Sequence, residues 1–195
     1  MRHRRNGYPP AQRLLDRLER WVIRHEDYRP IGDGAYLLRM KVARYRRARF
    51  ILRDGTVLNP GDPVGELHMD NRFAAALHED GSGAGRFRRE IFRVFAALAR
   101  DLAVRPEYRD IRVVGGASLF WRDGGLAARL GFEQQPLPAF TRWWLGTWER
   151  ILLTAYHPEG RRRLERGRPV ELRQMWMTRG TLQRFLDRDG PGRTV

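Results

Sequence analysis

The run from Gly61 to Asn71 constrains the fold of this chain more than any other stretch, because its polar and apolar residues alternate. A Gly-Asp-Pro turn opens the run and Asp-Asn closes it, which is typical of a strand between two turns. Successive side chains of a strand point to opposite faces, so Glu66, His68 and Asp70 share one face. The pattern therefore predicts a strand with one apolar face for the core and one polar face.

The polar face of this strand supplies three candidate catalytic residues, Glu66, His68 and Asp70. A carboxylate or an imidazole at such a position can accept a proton, and histidine is the side chain that titrates nearest neutrality. A purely structural explanation competes with this one, since exposed strand faces are polar by default. In that case His68 would be hydrogen-bonded to Asp62 or Asn71. Both interpretations stay open.

A metal site is a weaker hypothesis for the same face. Residues two apart on a strand lie about 6.5–7 Å apart at Cα, so three such ligands do not converge on one ion. His68 and Asp70 would need a distant His78 or His157, and no HxxxH or HExxH spacing exists. We therefore predict no metal site.

Arginine dominates the charge of the chain. There are 38 Lys and Arg against 23 Asp and Glu, a formal net charge of +15, and Lys41 is the only lysine. Such a balance attracts nucleic acid, anionic membranes, phosphate-bearing cofactors and acidic polymers alike. The clusters at residues 44–49 and 161–163 indicate an alternative function, a non-enzymatic basic module that binds nucleic acid or an anionic polymer. An even spread of arginine would instead reflect compositional bias.

The absence of cysteine excludes disulfides, thiolate zinc sites and a cysteine nucleophile. The basic start, residues 1–5, is not followed by the apolar core of a signal peptide. The longest apolar stretches are too short to cross a bilayer, so no transmembrane segment is expected. These features together predict a cytoplasmic protein.

Periodicity predicts a single α/β (α+β) domain over residues 10–186, with a mixed central sheet flanked by helices. Residues 1–9 are expected to be a flexible basic N-terminus, and residues 187–195 a frayed tail. The Trp-rich stripe of the helix near residues 140–155 is expected in the core. The predicted helices lie at about 10–25, 73–77, 85–102, 126–130, 140–155 and 158–166, with a short one ending at 186. The predicted strands lie at 35–45, 50–52, 56–58, 61–71, 111–121 and 170–178.

Several short motifs, taken in order, resemble the YkoP-like domain, a poorly characterised bacterial family. They are Leu52-x-Asp54-Gly55, Gly61-Asp62, Glu66-Leu67-His68-x-x-Asn71, Leu130-Gly131-Phe132, His157-Pro158-Glu159-Gly160 and Trp176-x-Thr178-x-x-x-Leu182. The resemblance covers roughly residues 10–186. It implies an association with polysaccharide deacetylases, either as partners or through cell-envelope polysaccharide, and it implies no settled activity.

A remoter resemblance is to GNAT-type N-acyltransferases, in which a strand precedes a glycine-rich loop and a long helix. Here His78-x-x-Gly81-x-Gly83 leads into the helix that begins near Gly85 and Arg86. The resemblance implies acyl-CoA as cofactor, with Gly81, Gly83, Gly85 and Arg86 at its pyrophosphate. It also implies Glu66 or His68 as proton acceptor and a late tyrosine such as Tyr156 as acid. A surface loop that uses glycine only to turn explains the same residues.

Overall fold

The computed structural model describes residues 10–32, 37–70, 83–118, 125–156 and 172–186. The helices are α1 (Pro10–His25), α2 (Gly83–Val104), α3 (Leu126–Arg129), α4 (Ala139–Tyr156) and α5 (Arg179–Gln183), with a 3-10 turn at Pro106–Tyr108. The strands are β1 (Arg29–Pro30), β2 (Leu38–Arg44), β3 (Phe50–Ile51), β4 (Val57–Leu58), β5 (Pro63–Met69), β6 (Val113–Ser118), β7 (Glu133–Gln135) and β8 (Arg173–Thr178).

Six strands form a mixed sheet in the order β1-β2-β5-β6-β8-β7, while β3 and β4 form a separate hairpin. Every neighbouring pair in the large sheet is antiparallel except β5 and β6. The long helix α2 connects these two strands, as a parallel pair requires. The predicted α/β class with a mixed central sheet and flanking helices is confirmed.

The parallel pair is joined over a short stretch only. Strand β2 pairs with β5 along its whole length, from Pro63 to Met69. The β5–β6 register, by contrast, joins Gly65 with Val114 and Glu66 with Gly115. Both strands run on past this point toward their carboxyl ends. The two strands therefore stop pairing after Glu66 and Gly115, and His68 and Ser118 lie two and three residues further along.

One face of the sheet carries the main apolar core. Leu98 and Leu102 of α2 are almost completely buried there, against Met40 of β2 and Met177 of β8. The α2 residues Ile91, Phe95, Leu98 and Leu102 follow helical spacing, so they form one continuous apolar stripe. Helix α2 therefore packs in the way that its sequence predicts.

The opposite face is covered by three separate pieces. At the start of β5 the β3–β4 hairpin places Leu52 and Leu58 over Val64 and Trp176. Leu145 of α4 packs in a third small cluster with other apolar residues. Helix α1 lies beside α4, and its Glu19 reaches His68 of β5. This face therefore combines small apolar clusters with a polar region.

Helix α1 buries acidic residues and exposes apolar ones. Its only two acidic residues, Asp16 and Glu19, are buried at 7 % exposure each. Leu14, Leu18 and Trp21, spaced as one helical stripe, are 67 %, 40 % and 56 % exposed. Leu15, Val22 and Ile23 are half-buried. The arrangement therefore departs from the usual amphipathic helix, in which the whole apolar stripe faces the core.

The core placement predicted for the Trp-rich stripe of α4 is wrong for its first half. Trp143 and Trp144 are 65 % and 62 % exposed, and Phe140 is exposed as well. Trp148 is half-buried and Leu152 is buried. The apolar stripe of α4 is wider than the surface on which the helix packs. The helix therefore buries one edge of the stripe and leaves the other edge in solvent.

The predicted bounds of α1 are confirmed, and those of the other described helices and strands agree within a few residues. The two-residue strand β1 and the three-residue strand β7 were not predicted. The helices predicted at 73–77 and 158–166, the N-terminus at 1–9 and the tail at 187–195 lie outside the described residues. None of the described helices combines the length and apolar character needed to span a bilayer.

Candidate functional site

Strand β5 places two of the three predicted catalytic residues in one polar layer. Leu67 and Met69 pack against the α2 core, so Glu66 and His68 face the opposite side, under α1. The register puts Lys41 of β2 directly beside Glu66, and Arg39 beside His68. The alternation read from the sequence therefore holds, and it brings two cations next to the candidate residues.

Glu66 is held by groups from two other segments. The hydroxyl of Tyr28 donates a hydrogen bond of 2.5 Å to Glu66 Oε1. Lys41 Nζ lies 3.6 Å from the same oxygen and 2.6 Å from Glu26 Oε2. The Lys41 ammonium also lies 4.7 Å from the centre of the Tyr28 ring. Glu66 is thus a fixed, charge-compensated carboxylate.

Tyr28 is the buried centre of this arrangement. Burial, and then the hydrogen bond to Glu66, raises the pKa of Tyr28 well above its usual range. A neutral hydroxyl therefore donates to Glu66 over the whole ordinary pH range. Because Glu66 Oε1 is already engaged by the Tyr28 hydroxyl and the Lys41 ammonium, Glu66 suits an electrostatic role better than that of a base.

His68 has a different neighbour, the buried carboxylate of Glu19. His68 Nε2 lies 3.5 Å from Glu19 Oε1, and the His68 ring centre lies 5.1 Å from that of Tyr28. Within the described ranges, His68 Nε2 has no hydrogen-bond partner at normal distance. A carboxylate beside an imidazole orients the ring. We call Glu19, Tyr28, Lys41, Glu66 and His68 the polar cluster.

Asp70 is held apart from this cluster. Its carboxylate lies 3.6 Å from the guanidinium of Arg39, and its backbone N–H donates to the carbonyl of Leu37. Asp70 thus anchors the end of β5 to the neighbouring strand. The structural alternative for His68 is not met at Asp62, whose carboxylate accepts the backbone N–H of Asn59 and pairs with Arg112. Asn71 lies outside the described residues.

Sequence reasoning missed Glu19 and Tyr28. The signal for Glu19 was present, because Asp16 and Glu19 are three apart and are the only acids of an arginine-rich helix. Asp16 and Glu19 lie on one side of α1, and a side with two carboxylates is expected to pack against polar groups rather than an apolar core. Tyr28 follows α1 in a loop, 38 residues before Glu66, and nothing local predicts this contact.

The predicted cofactor residues are described in part. Gly81, His78 and His157 lie outside the described residues. Gly83 is the first residue of α2, Gly85 is exposed in its first turn, and Arg86 is half-buried. The first turn of α2 carries no acidic residue. Its backbone N–H groups and partial positive charge therefore favour an anion.

The arginine clusters are also described in part. Arg44, Arg46 and Arg49 are exposed in and after β2, and Arg47 is half-buried. Burial lowers the pKa of Arg47, whose charge is attracted to Glu66. The cluster at 161–163 lies outside the described residues. The described part of the two predicted clusters is therefore one segment with three exposed arginines.

A small cleft of about 130 Å³ opens at the β1–β2 edge, lined by residues that include Lys41, Glu26 and Arg29. Pockets for drug-sized ligands occupy about 300–1,000 Å³, so this cleft does not accommodate a nucleotide. Among the described residues, no three His, Asp or Glu side chains are grouped to hold a metal ion.

A family model described as the YkoP domain matches residues 11–186. No curated protein matches the chain, and no solved structure matches it.

Proposed function

The chain belongs to the YkoP domain family, and from that premise we propose that it is an acyl-CoA-dependent N-acyltransferase whose acid–base site is the polar cluster. The observation that carries the proposal is the position of His68. It lies near the carboxyl end of β5, two residues beyond Glu66, the last β5 residue that pairs with the parallel strand β6. In α/β sheets, ligands bind outside the carboxyl ends of parallel strands.

The helix that connects the two parallel strands supports an anion at the same end of the sheet. Since α2 runs back from the end of β5 to the start of β6, its N-terminus lies on the carboxyl side of both strands. Gly83 and Gly85 allow close approach to the first backbone N–H groups, and Arg86 adds a cation. These features fit the pyrophosphate of CoA, and the net charge of +15 attracts it.

Bound acyl-CoA would supply an activated thioester carbonyl. In the proposed reaction His68 accepts a proton from the attacking amine while the C–N bond forms and the C–S bond breaks. The thiolate leaving group takes up the proton that His68 has accepted, so the products are an amide and free CoA, and His68 returns to its neutral form. Glu19 orients the imidazole and stabilises it when it is protonated, the role of a carboxylate beside a catalytic histidine.

Glu66, Tyr28 and Lys41 have a positioning role in this proposal. The Tyr28–Glu66 hydrogen bond fixes the floor of the site, and the negative charge of Glu66 favours an amine or ammonium group nearby. The ammonium of Lys41, on the neighbouring strand β2, partly neutralises the negative charge of Glu66. Asp70 keeps β5 and β2 together through Arg39 and takes no part in proton transfer.

The acceptor class follows from the reaction and from the family resemblance. An acyltransferase of this type requires a free amine. Deacetylation of an amino sugar produces one, so the association implied with polysaccharide deacetylases makes an amino sugar of the cell envelope the first acceptor to test. A catalytically degenerate relative would bind CoA or the polysaccharide without turnover.

The proposal is tested first by binding. CoA at a hundredfold excess over its Kd should raise the free energy of unfolding by about 2.7 kcal/mol, which a thermal shift detects. Adenosine at the same concentration serves as the control, because it lacks the pyrophosphate. A melting temperature that CoA leaves unchanged at millimolar concentration would contradict the proposal.

Turnover is tested by the release of thiol from acetyl-CoA, with glucosamine and chitosan oligosaccharides as acceptors. Since the chain contains no cysteine, CoA is the sole source of thiol in this assay. His68→Gln should lower kcat by about 10²- to 10⁴-fold. Asp27→Asn is the matched control, because Asp27 is exposed and has a positive φ that asparagine tolerates. Equal loss in both variants, or none in His68→Gln, would rule out His68 as the base.

A further inference from the structure

The outward sides of α1 and α4 carry an apolar surface that the proposed reaction does not use. We call it the aromatic face: Leu14, Leu18 and Trp21 of α1 with Phe140, Trp143, Trp144 and Ile151 of α4, all of them exposed. The two helices lie side by side on the same face of the sheet. We propose that the aromatic face docks the protein on a membrane surface that contains anionic lipid.

The orientation of α1 favours a second apolar phase. A helix that buries Asp16 and Glu19 and exposes Leu14 and Trp21 leaves much of its apolar area in water, where burial of that area would stabilise folding. The orientation is favourable when the exposed stripe meets a second apolar phase. An amphipathic helix with Trp and Leu on one side and arginine beside them has the composition of a membrane-surface helix.

The charge of the aromatic face complements an anionic membrane. Because both acidic residues of α1 are buried, its exposed charges are all cationic: Arg13, Arg17, Arg20 and Arg24. Arg142 and Arg150 are exposed on α4. Arginine next to an apolar stripe lets the guanidinium reach lipid phosphates while the side-chain stem stays in the apolar layer. The surface therefore matches an anionic bilayer in both apolar area and sign of charge.

The aromatic residues of α4 also suit the level of lipid headgroups. Phe140, Trp143 and Trp144 form a contiguous group, with ring centres 6.3 Å and 6.4 Å apart. Tryptophan is the residue most enriched at the level of lipid headgroups. Ile151 lies about two turns after Trp144 on α4 and extends the apolar surface with an aliphatic side chain.

A membrane explains these features better than the other occupants do. A second copy of the chain would bring two arginine-lined surfaces together, which repel one another. Single-stranded nucleic acid would stack on the tryptophans but gains little from Leu14, Leu18 and Ile151. Both occupants remain as outcomes of the experiment that follows.

The test is co-sedimentation of the full chain with vesicles. Vesicles of equimolar phosphatidylcholine and phosphatidylglycerol should bind the protein at roughly 0.15 M salt, and vesicles of phosphatidylcholine alone should bind it far more weakly. Trp143→Gln/Trp144→Gln and, separately, Leu14→Gln/Leu18→Gln should each weaken binding to the anionic vesicles about tenfold or more. Arg17→Gln/Arg24→Gln should weaken it about fivefold per arginine.

Val104→Ser is the matched control, because Val104 is exposed at the end of α2, which covers the other face of the sheet. It should bind anionic vesicles as the unmodified chain does. Circular dichroism checks that each variant is folded, as expected for substitutions of exposed side chains.

Three results would overturn the proposal. One is no binding to anionic vesicles, and another is binding that the aromatic and leucine variants leave unchanged. The third is a vesicle-independent dimer, or an oligonucleotide complex, that forms in place of vesicle binding and is lost in the same variants.

Discussion

The two faces of the central sheet follow opposite rules. On one face, α2 buries a continuous apolar stripe that includes Leu98, and its sequence predicts this packing. On the other face, α1 buries Asp16 and Glu19 and exposes Leu14 and Trp21. Consistency between sequence pattern and packing marks a structural element, and departures from it are expected where function acts. This departure supports the proposed site on the α1 side of the sheet.

The largest expected difference between the two faces is in stability. Leu98→Ala should lower the free energy of unfolding by about 2–5 kcal/mol, because Leu98 is fully buried in the α2 face. Leu18→Ala should change it by less than about 0.5 kcal/mol, because Leu18 is 40 % exposed on α1. Urea unfolding of both variants gives the comparison. Equal losses would mean that α1 packs as α2 does.

The Tyr28–Glu66 pair should make the next largest contribution. Glu66→Gln removes the negative charge that accepts the Tyr28 hydrogen bond and faces Lys41. It should lower the free energy of unfolding by about 1–2 kcal/mol. This loss is below the full range for charged hydrogen bonds because Glu66 is partly exposed. Asp27→Asn removes a carboxylate that is 75 % exposed, and it should change stability by less than about 0.5 kcal/mol. Indistinguishable urea midpoints would show that Glu66 is an ordinary surface charge.

Tyr28 should give the polar face a distinct alkaline pH dependence. Its pKa is raised in the folded chain by burial and by Glu66. The unfolded chain therefore ionises first, so this contribution is complete below about pH 10 and is lost as the pH rises further. Tyr28→Phe should cost about 1 kcal/mol at neutral pH and should flatten the decline in stability above pH 10. Parallel alkaline slopes for the two proteins would contradict this assignment.

The smallest expected effect lies at the exposed rim of the same face. The hydrogen bond and charge of Lys41 lower the pKa of Glu26. A lowered carboxyl pKa contributes stability above the unfolded value, and that contribution is lost as the pH falls through the folded value. Because Glu26 is 54 % exposed, Glu26→Gln should cost less than about 0.5 kcal/mol at neutral pH. A loss of several kcal/mol would mean that this rim is structurally central.

The contrast also explains what the sequence could predict. The bounds of α1 and the two faces of β5 follow from local periodicity. A helix repeats about every 3.6 residues and a strand every two, so neighbouring residues alone reveal the pattern. Local periodicity does not predict which side of α1 faces the sheet, because its wide apolar stripe is equally compatible with packing against the core. Glu19 meets His68 and Tyr28 meets Glu66 only after strands distant in sequence have paired. The pairing of β5 with β6 at only two positions likewise has no signal in the local sequence.

The acyltransferase account rests on where CoA binds, and hydrogen–deuterium exchange of the full chain with and without CoA measures this most directly. The account predicts slower exchange at the carboxyl ends of β5 and β6, from His68 to Met69 and at Ser118, and in the first turn of α2 after Gly83. Exchange that CoA leaves unchanged at these positions, or that it slows only in the outer helices α1 and α4, would contradict the account.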